Sequence, residues 1–269
     1  MKKGFLTNKY TLSVFILLAI LATDILLHKG MSRVIIPESF TDKRLPQKDF
    51  SMCEQVLAIN GKNWLKGINT TAMAAAIDSN TNGIEMDVYF DTSKKVFFVY
   101  HDTDNISRVN AEEIFSVIKN RNLDLSIWLD FKNLFQYNEQ YALAHILDLK
   151  KKYSLEQKLV IESPNIQFLQ SFCDSGFFTS FYVPFFNPYQ EEEQILNARI
   201  DSLSAVLKKY PVSALSGYYF QVPFLKKFFP AFPLLTWTDE SKTSLVNKLF
   251  NRRMDKDDHV KIVLHPFEN

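Results

Sequence analysis

Residues 83–101 read Gly-Ile-Glu-Met-Asp-Val-Tyr-Phe-Asp-Thr-Ser-Lys-Lys-Val-Phe-Phe-Val-Tyr-His. Two runs rich in β-branched and aromatic residues, 83–89 and 96–101, flank the polar stretch Asp91-Thr92-Ser93-Lys94-Lys95. So short a connection cannot hold a helical crossover, so the second run must turn back on the first as an antiparallel hairpin. Glu85 and Asp87 lie two positions apart, and both carboxylates therefore leave the same face of one strand. Folding the hairpin about Ser93 sets Glu85 opposite His101 and Asp87 opposite Val99. A Glu, an Asp and a His then converge at a strand end. Two hard oxygen ligands beside an imidazole suit a divalent cation such as Ca²⁺ or Mg²⁺ with a proton-transfer group next to it.

Outward from the hairpin, short β-rich runs alternate with helical patterns. The other candidate strands are 55–60, 126–132, 158–163, 178–183, 213–218, 233–238 and 260–265. Helical patterns cover 70–79, 111–120, 139–153, 195–210 and 241–252. With 83–89 this makes eight strands, which fits an α/β fold, a (β/α)8 TIM barrel with an inserted β-hairpin after strand 2. Asp130 and Lys132 share a face of the third barrel strand, which should neighbour the second. Asp130 is thus placed to complete the carboxylate set, and Lys132 to reach a phosphate. Such residues fall at the C-terminal ends of the strands, where barrel active sites lie.

The full chain has 269 residues, 46% of them hydrophobic and 23% charged, with only 2 Cys. It is too apolar for a disordered protein and too poor in cysteine for a disulfide scaffold. Its net charge of +1 gives no basic field for nucleic acid. Lys2, Lys3 and Lys9 precede an apolar run from Tyr10 to Leu27 with no well-spaced small-residue cleavage site. Residues 1–30 are therefore expected to form an uncleaved signal anchor, a single membrane pass with the barrel on the extracytoplasmic side. Residues 31–54 read as a polar linker and 55–269 as one barrel domain. Cys53 and Cys173 could pair in an oxidising compartment. Asn69-Thr70-Thr71 and Asn105-Ile106-Ser107 are sequons in a eukaryotic host alone.

The ordered motifs resemble the glycerophosphodiester phosphodiesterase family, phospholipase C-like barrel phosphodiesterases, along most of 55–265. Asn69-Thr70, then Gly83-Ile84-Glu85-Met86-Asp87-Val88, is similar to the family's N-T…G-x-E-x-D-V element. Val99-Tyr100-His101-Asp102 resembles its V-x-H-D strand, and Leu129-Asp130-Phe131-Lys132 its I-E-I-K strand. Ile161-Glu162-Ser163 and Leu235-Thr236-Trp237-Thr238-Asp239 sit where the family has a strand ending in Ser and a W-T-V-N segment. The resemblance implies metal-assisted hydrolysis of glycerophosphodiesters or phospholipid headgroups. It also implies Glu85, Asp87 and Asp130 as ligands of a divalent metal (Ca or Mg), His101 as acid or base, and Lys132 and Trp237 on the substrate.

The family's opening H-R-G is missing. The alignment sets Ile59 at its histidine and Asn60 at its arginine, and neither can do that chemistry. Lys62 or Lys66 would have to stand in. The D-R-T-T stretch after H-D is also absent. The alternative is a catalytically impaired barrel that binds phosphorylated lipid or glycan ligands. His145, within a helix, reads as packing or surface, and His265 as a residue that reaches the barrel mouth in a minority of arrangements. Most of the aromatics near 177–186 and 218–229 should be core, with any exposed ones forming a lipid-facing rim together with Lys226 and Lys227.

Overall fold

The computed structural model describes residues 3–27, 40–45, 50–101, 109–237 and 251–267. Its strands are β1 Asn63–Lys66, β2 Gly83–Asp91, β3 Val96–Val99, β4 Ser126–Phe131, β5 Leu159–Ser163, β6 Phe178–Tyr182, β7 Ala214–Tyr218, β8 Leu234–Trp237 and β9 Val260–Pro266. The sheet order β1-β9-β8-β7-β6-β5-β4-β2, closed by pairing of β1 with β2, makes a barrel of eight parallel strands among the described residues. β3 hangs on the outer part of β2 as the antiparallel strand of a hairpin. Its helices are α1 Lys3–Leu27, α2 Thr71–Ala75, α3 Ala111–Asn120, α4 Glu139–Tyr153, α5 Gln170–Asp174, α6 Glu193–Lys209 and α7 Val222–Phe228. The expected barrel with its inserted hairpin is thus present.

The expected first strand is not. The first barrel strand is Asn63–Lys66, and residues 55–60 instead cross the floor of the barrel. Ala58 donates its amide to Gln157 O at 2.7 Å. Its carbonyl accepts the Ser126 hydroxyl at 2.6 Å. Both partners lie at the N-terminal ends of strands, and the segment before them bridges to Val212. Leu57 and Ile59 pack upward onto Trp64, Trp128, Val160 and Phe178, while Val56 is exposed. The alternation that reads as a strand comes from lying against this floor, without a ladder. The true strand carries a weak β signal because Asn63 and Lys66 are polar.

The hairpin register also differs from expectation by one residue. Val88 pairs with Val99, Phe90 with Phe97 and Asp91 with Val96. The cause is the turn. Asp91 Oδ1 accepts the amides of Ser93 at 2.9 Å and Lys94 at 3.0 Å. Lys95 adopts φ 55, so four residues rather than three separate the strands. Tyr100 N consequently donates to Asp87 O at 3.1 Å, and His101 lies two residues beyond the end of β3 rather than opposite Glu85.

Helices end where local chemistry ends them. Asn110 and Glu113 form a capping box at the start of α3, each side chain satisfying the other's backbone N–H. Ser154 in the left-handed conformation closes α4. Among the described residues fourteen of the chain's 24 Phe are buried, chiefly in the layer between barrel and helices. That accounts for much of the phenylalanine surplus. Cys53 and Cys173 form a disulfide with Cα atoms 5.9 Å apart, fastening the floor segment to α5.

α1 supplies the helix expected in the first thirty residues, and its side chains from Tyr10 to Ile20 are exposed. Among the described residues, no helix is long and apolar enough to cross a membrane. Most of the expected 31–54 linker, the 241–250 part of the expected last helix, the Asn105 sequon and Asp102 lie outside the described residues.

Candidate active site

At the C-terminal end of the barrel a pocket of about 80 Å³ is lined by Lys66, Glu85, Asp87, His101, Trp128, Asp130, Lys132, Glu162 and the aromatic residues Tyr182, Tyr218 and Trp237. Each comes from a different height or strand of the same inward face. Parity along β2 places Glu85 and Asp87 together, and the β2–β4 register sets Asp87 beside Asp130. One carboxylate oxygen from each of Glu85, Asp87 and Asp130 lies within 4.8 Å of the other two. All six residues singled out in the sequence, His101, Glu85, Asp87, Asp130, Lys132 and Trp237, line this one pocket.

The carboxylates are held from below and from the side. Glu85 Oε2 accepts the Gly67 amide at 2.6 Å. Gly67 sits at φ 69, a conformation that favours glycine and turns its N–H toward Glu85. Asp87 Oδ2 accepts from Asn69 Nδ2 at 2.8 Å, and the Asp87 amide donates to Asn69 Oδ1 at 3.1 Å. The N-T pair of the sequence therefore has a physical role: Asn69 clamps Asp87 and Thr70 caps α2 by accepting the Met73 amide. Lys132 Nζ bridges Asp87 Oδ1 at 2.8 Å and Asp130 Oδ2 in a shorter contact.

Burial, with Asp87 and Asp130 adding to it, pushes the Glu85 carboxyl well above the usual carboxylate range. Burial raises Asp130 as well, against the pull of Lys132. Burial alone would lower the Lys132 ammonium, yet Asp130 and Asp87 outweigh it and hold its pKa above the ordinary lysine value. Three buried carboxylates beside one ammonium leave an excess of negative charge in a low-dielectric pocket. That excess, and the all-oxygen donor set, fit a hard divalent cation.

The opposite wall is aromatic. Trp237 packs edge-on against Tyr182 at 5.3 Å, Tyr218 at 5.0 Å and Trp128 at 6.4 Å between ring centroids. Charged groups thus come from β1, β2, β4 and β5, and rings from β6, β7 and β8 with Trp128 of β4.

Three lining residues carry more weight here than the sequence reading gave them. Lys66 ends β1, where the alignment expected Ile59 and Asn60, and those two lie on the floor or beside it. Among the described residues Lys66 makes no ion pair. Glu162, 1% exposed, ends β5 in register with Asp130, and Tyr182 ends β6. Inward parity with Val160 would have found Glu162; Tyr182 sits inside an aromatic run that offers no contrast. His265 does not reach the mouth: its Nε2 pairs with Asn63 Oδ1 at 2.7 Å, while the neighbouring Leu264 lines the pocket. His145 packs on Phe97 and Phe90, as the sequence suggested.

No protein-family profile matches the sequence, and no curated protein sequence does. Solved structures do match. A protein described as a glycerophosphodiester phosphodiesterase from Galdieria sulphuraria aligns with a TM-score of 0.53 at 12% identity, over 79% of this chain and 95% of that one. One described as a glycerophosphoryl diester phosphodiesterase from Silicibacter pomeroyi gives 0.52 at 14%, over 80% and 94%. A phosphodiesterase from Oleispira antarctica, in complex with the product sn-glycerol-3-phosphate, gives 0.50 at 15%, over 76% and 92%. The fold that the motifs imply is therefore the fold found: this chain has the barrel of the glycerophosphodiester phosphodiesterase structures.

Proposed function

We propose that the chain is a metal-dependent phosphodiester hydrolase acting on glycerophosphodiesters or phospholipid headgroups. The observation that carries this reading is the convergence of Glu85, Asp87 and Asp130 with Lys132 and His101 in one pocket at the C-terminal end of the barrel. Glu85, Asp87 and Asp130 would hold the ion. Bound there, Ca²⁺ or Mg²⁺ supplies Lewis-acid polarisation of a phosphoryl oxygen. Lys132 fixes Asp87 and Asp130 in place, and Lys66 shares with it the contact to the phosphate. His101 would move a proton through a ring nitrogen, from the attacking water or to the leaving alkoxide oxygen. Trp237 and the two tyrosines beside it seat the organic arm of the ester and keep water off it.

The test is glycerophosphodiester turnover by the full chain with Ca²⁺ or Mg²⁺. His101→Ala should lower kcat by about 10²–10⁴-fold. Equal rates in the two proteins would remove the hydrolase reading.

One observation favours a second reading, a barrel that binds phosphorylated lipid or glycan ligands without turnover. β1 ends in Lys66, so among the described residues His101 is the one histidine lining the pocket. Binding of a glycerophosphodiester without its cleavage would select that reading.

We place the barrel on the extracytoplasmic side of a membrane, tethered through residues 1–30. Support comes from the basic flank before Tyr10, the exposed apolar side chains of α1 and the Cys53–Cys173 disulfide, which persists in oxidising compartments. Extraction of the full chain from membranes by high salt alone would overturn this placement.

A further inference from the structure

Four consecutive barrel strands carry oxygen-bearing side chains at one height. Asp87 is in register with Asp130, Asp130 with Glu162, and Glu162 with Ser180. Adjacent strands lie about 4.8 Å apart, so this is a continuous row of oxygens along the inner wall. The Asp87 end is satisfied by Asn69 and Lys132. At the other end Lys132 meets Asp130 Oδ2 and Ser216 meets Glu162, which leaves one oxygen of each acid over. Asp130 Oδ1, Glu162 Oε2 and Ser180 Oγ are buried without a hydrogen-bond partner among the described residues. Glu162 is 1% exposed and lines the pocket, and Ser180 is fully buried beside it.

We propose that Asp130, Glu162 and Ser180 hold a second divalent cation, with Asp130 as the carboxylate shared between it and the first. The proposal rests on the reading of Glu85, Asp87 and Asp130 as ligands of one ion. Two carboxylates and a hydroxyl are hard donors of the kind Mg²⁺ and Ca²⁺ take. A buried carboxylate oxygen is costly unless a cation or donor meets it. Lys132, the pocket ammonium bound to this row, pairs with Asp87 and Asp130 and forms no ion pair with Glu162.

Charge supports the same conclusion. Four carboxylates, Glu85, Asp87, Asp130 and Glu162, face two ammonium groups, Lys66 and Lys132. With all four acids ionised, one divalent ion brings these groups to neutrality. A second makes the pocket a cationic receptor, which a phosphodiester anion requires. Metal pairs that share a ligand sit about 3.5–4 Å apart, a spacing that neighbouring strands can span.

Equilibrium dialysis of the full chain against Ca²⁺ or Mg²⁺ alone counts the ions. Wild type should bind two per chain. Glu162→Gln, nearly isosteric, should bind one, with the first affinity unchanged and the second weakened at least tenfold. Ser180→Ala should weaken the second ion several-fold and leave the first alone, which guards against misfolding of the Gln variant. A wild-type stoichiometry of one, or two ions retained in Glu162→Gln, would overturn the second site and leave the first standing. A stoichiometry of zero would overturn both.

Discussion

Lys132→Met removes the ammonium that bridges Asp87 and Asp130 but keeps most of its aliphatic stem. The side chains involved are 23% exposed for Lys132, 5% for Asp87 and 13% for Asp130, so solvent screens the pair little. At an effective dielectric of about 20, charges 2.8 Å apart attract by about 6 kcal/mol. Desolvation offsets part of this, and breaking a buried pair from one side costs about 3–5 kcal/mol. We expect a loss of that size in EDTA at pH 8, read from urea unfolding followed by tryptophan fluorescence. pH should shrink the loss. The Glu85 and Asp130 carboxyls have folded pKa values raised above the unfolded ones, first by burial. The folded state therefore binds their protons more tightly, and metal-free protein gains stability as pH falls through those folded values toward the unfolded ones. Once the carboxyls are neutral, Lys132 has less charge to answer. Saturating Ca²⁺ should restore much of the variant's stability at pH 8, because the ion replaces the missing positive charge. A loss below about 1 kcal/mol, the range of an exposed pair, would refute the claim that Lys132 holds the cluster together. So would a loss that ignores both pH and Ca²⁺.

Other perturbations probe separate parts of the argument. Replacing Cys53 and Cys173 together by Ser opens a loop with a sequence separation of 120, for which chain entropy predicts about 5 kcal/mol at most. A urea midpoint that does not move would show that the floor segment is fastened by packing alone. Gly83→Ala would put a Cβ 2.2 Å from the Trp64 ring, and overpacking there should cost about 1–3 kcal/mol by the same assay. An unchanged midpoint would mean that β1 and β2 part more easily than their packing implies. Asn69→Ala takes the clamp from Asp87 and should weaken Ca²⁺ affinity several-fold by dialysis while leaving the folding transition within about 2 kcal/mol. Unaltered affinity would remove Asn69 from the site.

Most of the fold was readable because parallel barrel strands are buried on both faces and stand out as apolar runs. The runs at 126–132, 158–163 and 178–183 match β4, β5 and β6 to within a residue or two at each end. Residues 55–60 misled for a definite reason. An extended segment lying against a barrel floor alternates buried and exposed side chains just as a half-buried strand does. Leu57 is buried and Val56 is exposed, yet the hydrogen bonds of Ala58 go to Gln157 and Ser126 rather than to a ladder. Periodicity reports burial, and only the hydrogen bonds report pairing. The hairpin register failed for a smaller reason of the same kind: Asp91 organises its own turn, and one residue of loop length is invisible in composition.

That register error bears on the site in an unexpected way. A slip of one residue within a regular ladder would have sent His101 to the opposite face from Glu85. His101 reaches the pocket because β3 stops at Val99 and the chain beyond it no longer obeys strand parity. The first-strand error has the larger consequence. Setting Ile59 and Asn60 at the family's H-R-G made the acid–base half of the site look erased. Moving β1 to Asn63–Lys66 puts Lys66 at the mouth instead, beside Glu85 and Asp87. At the end of β1 the pocket therefore presents an ammonium group. It also holds a fourth buried carboxylate, Glu162, in register with Asp130. If the proposed function holds, a pocket with four carboxylates and one lining histidine among the described residues should depend on ion binding before proton transfer.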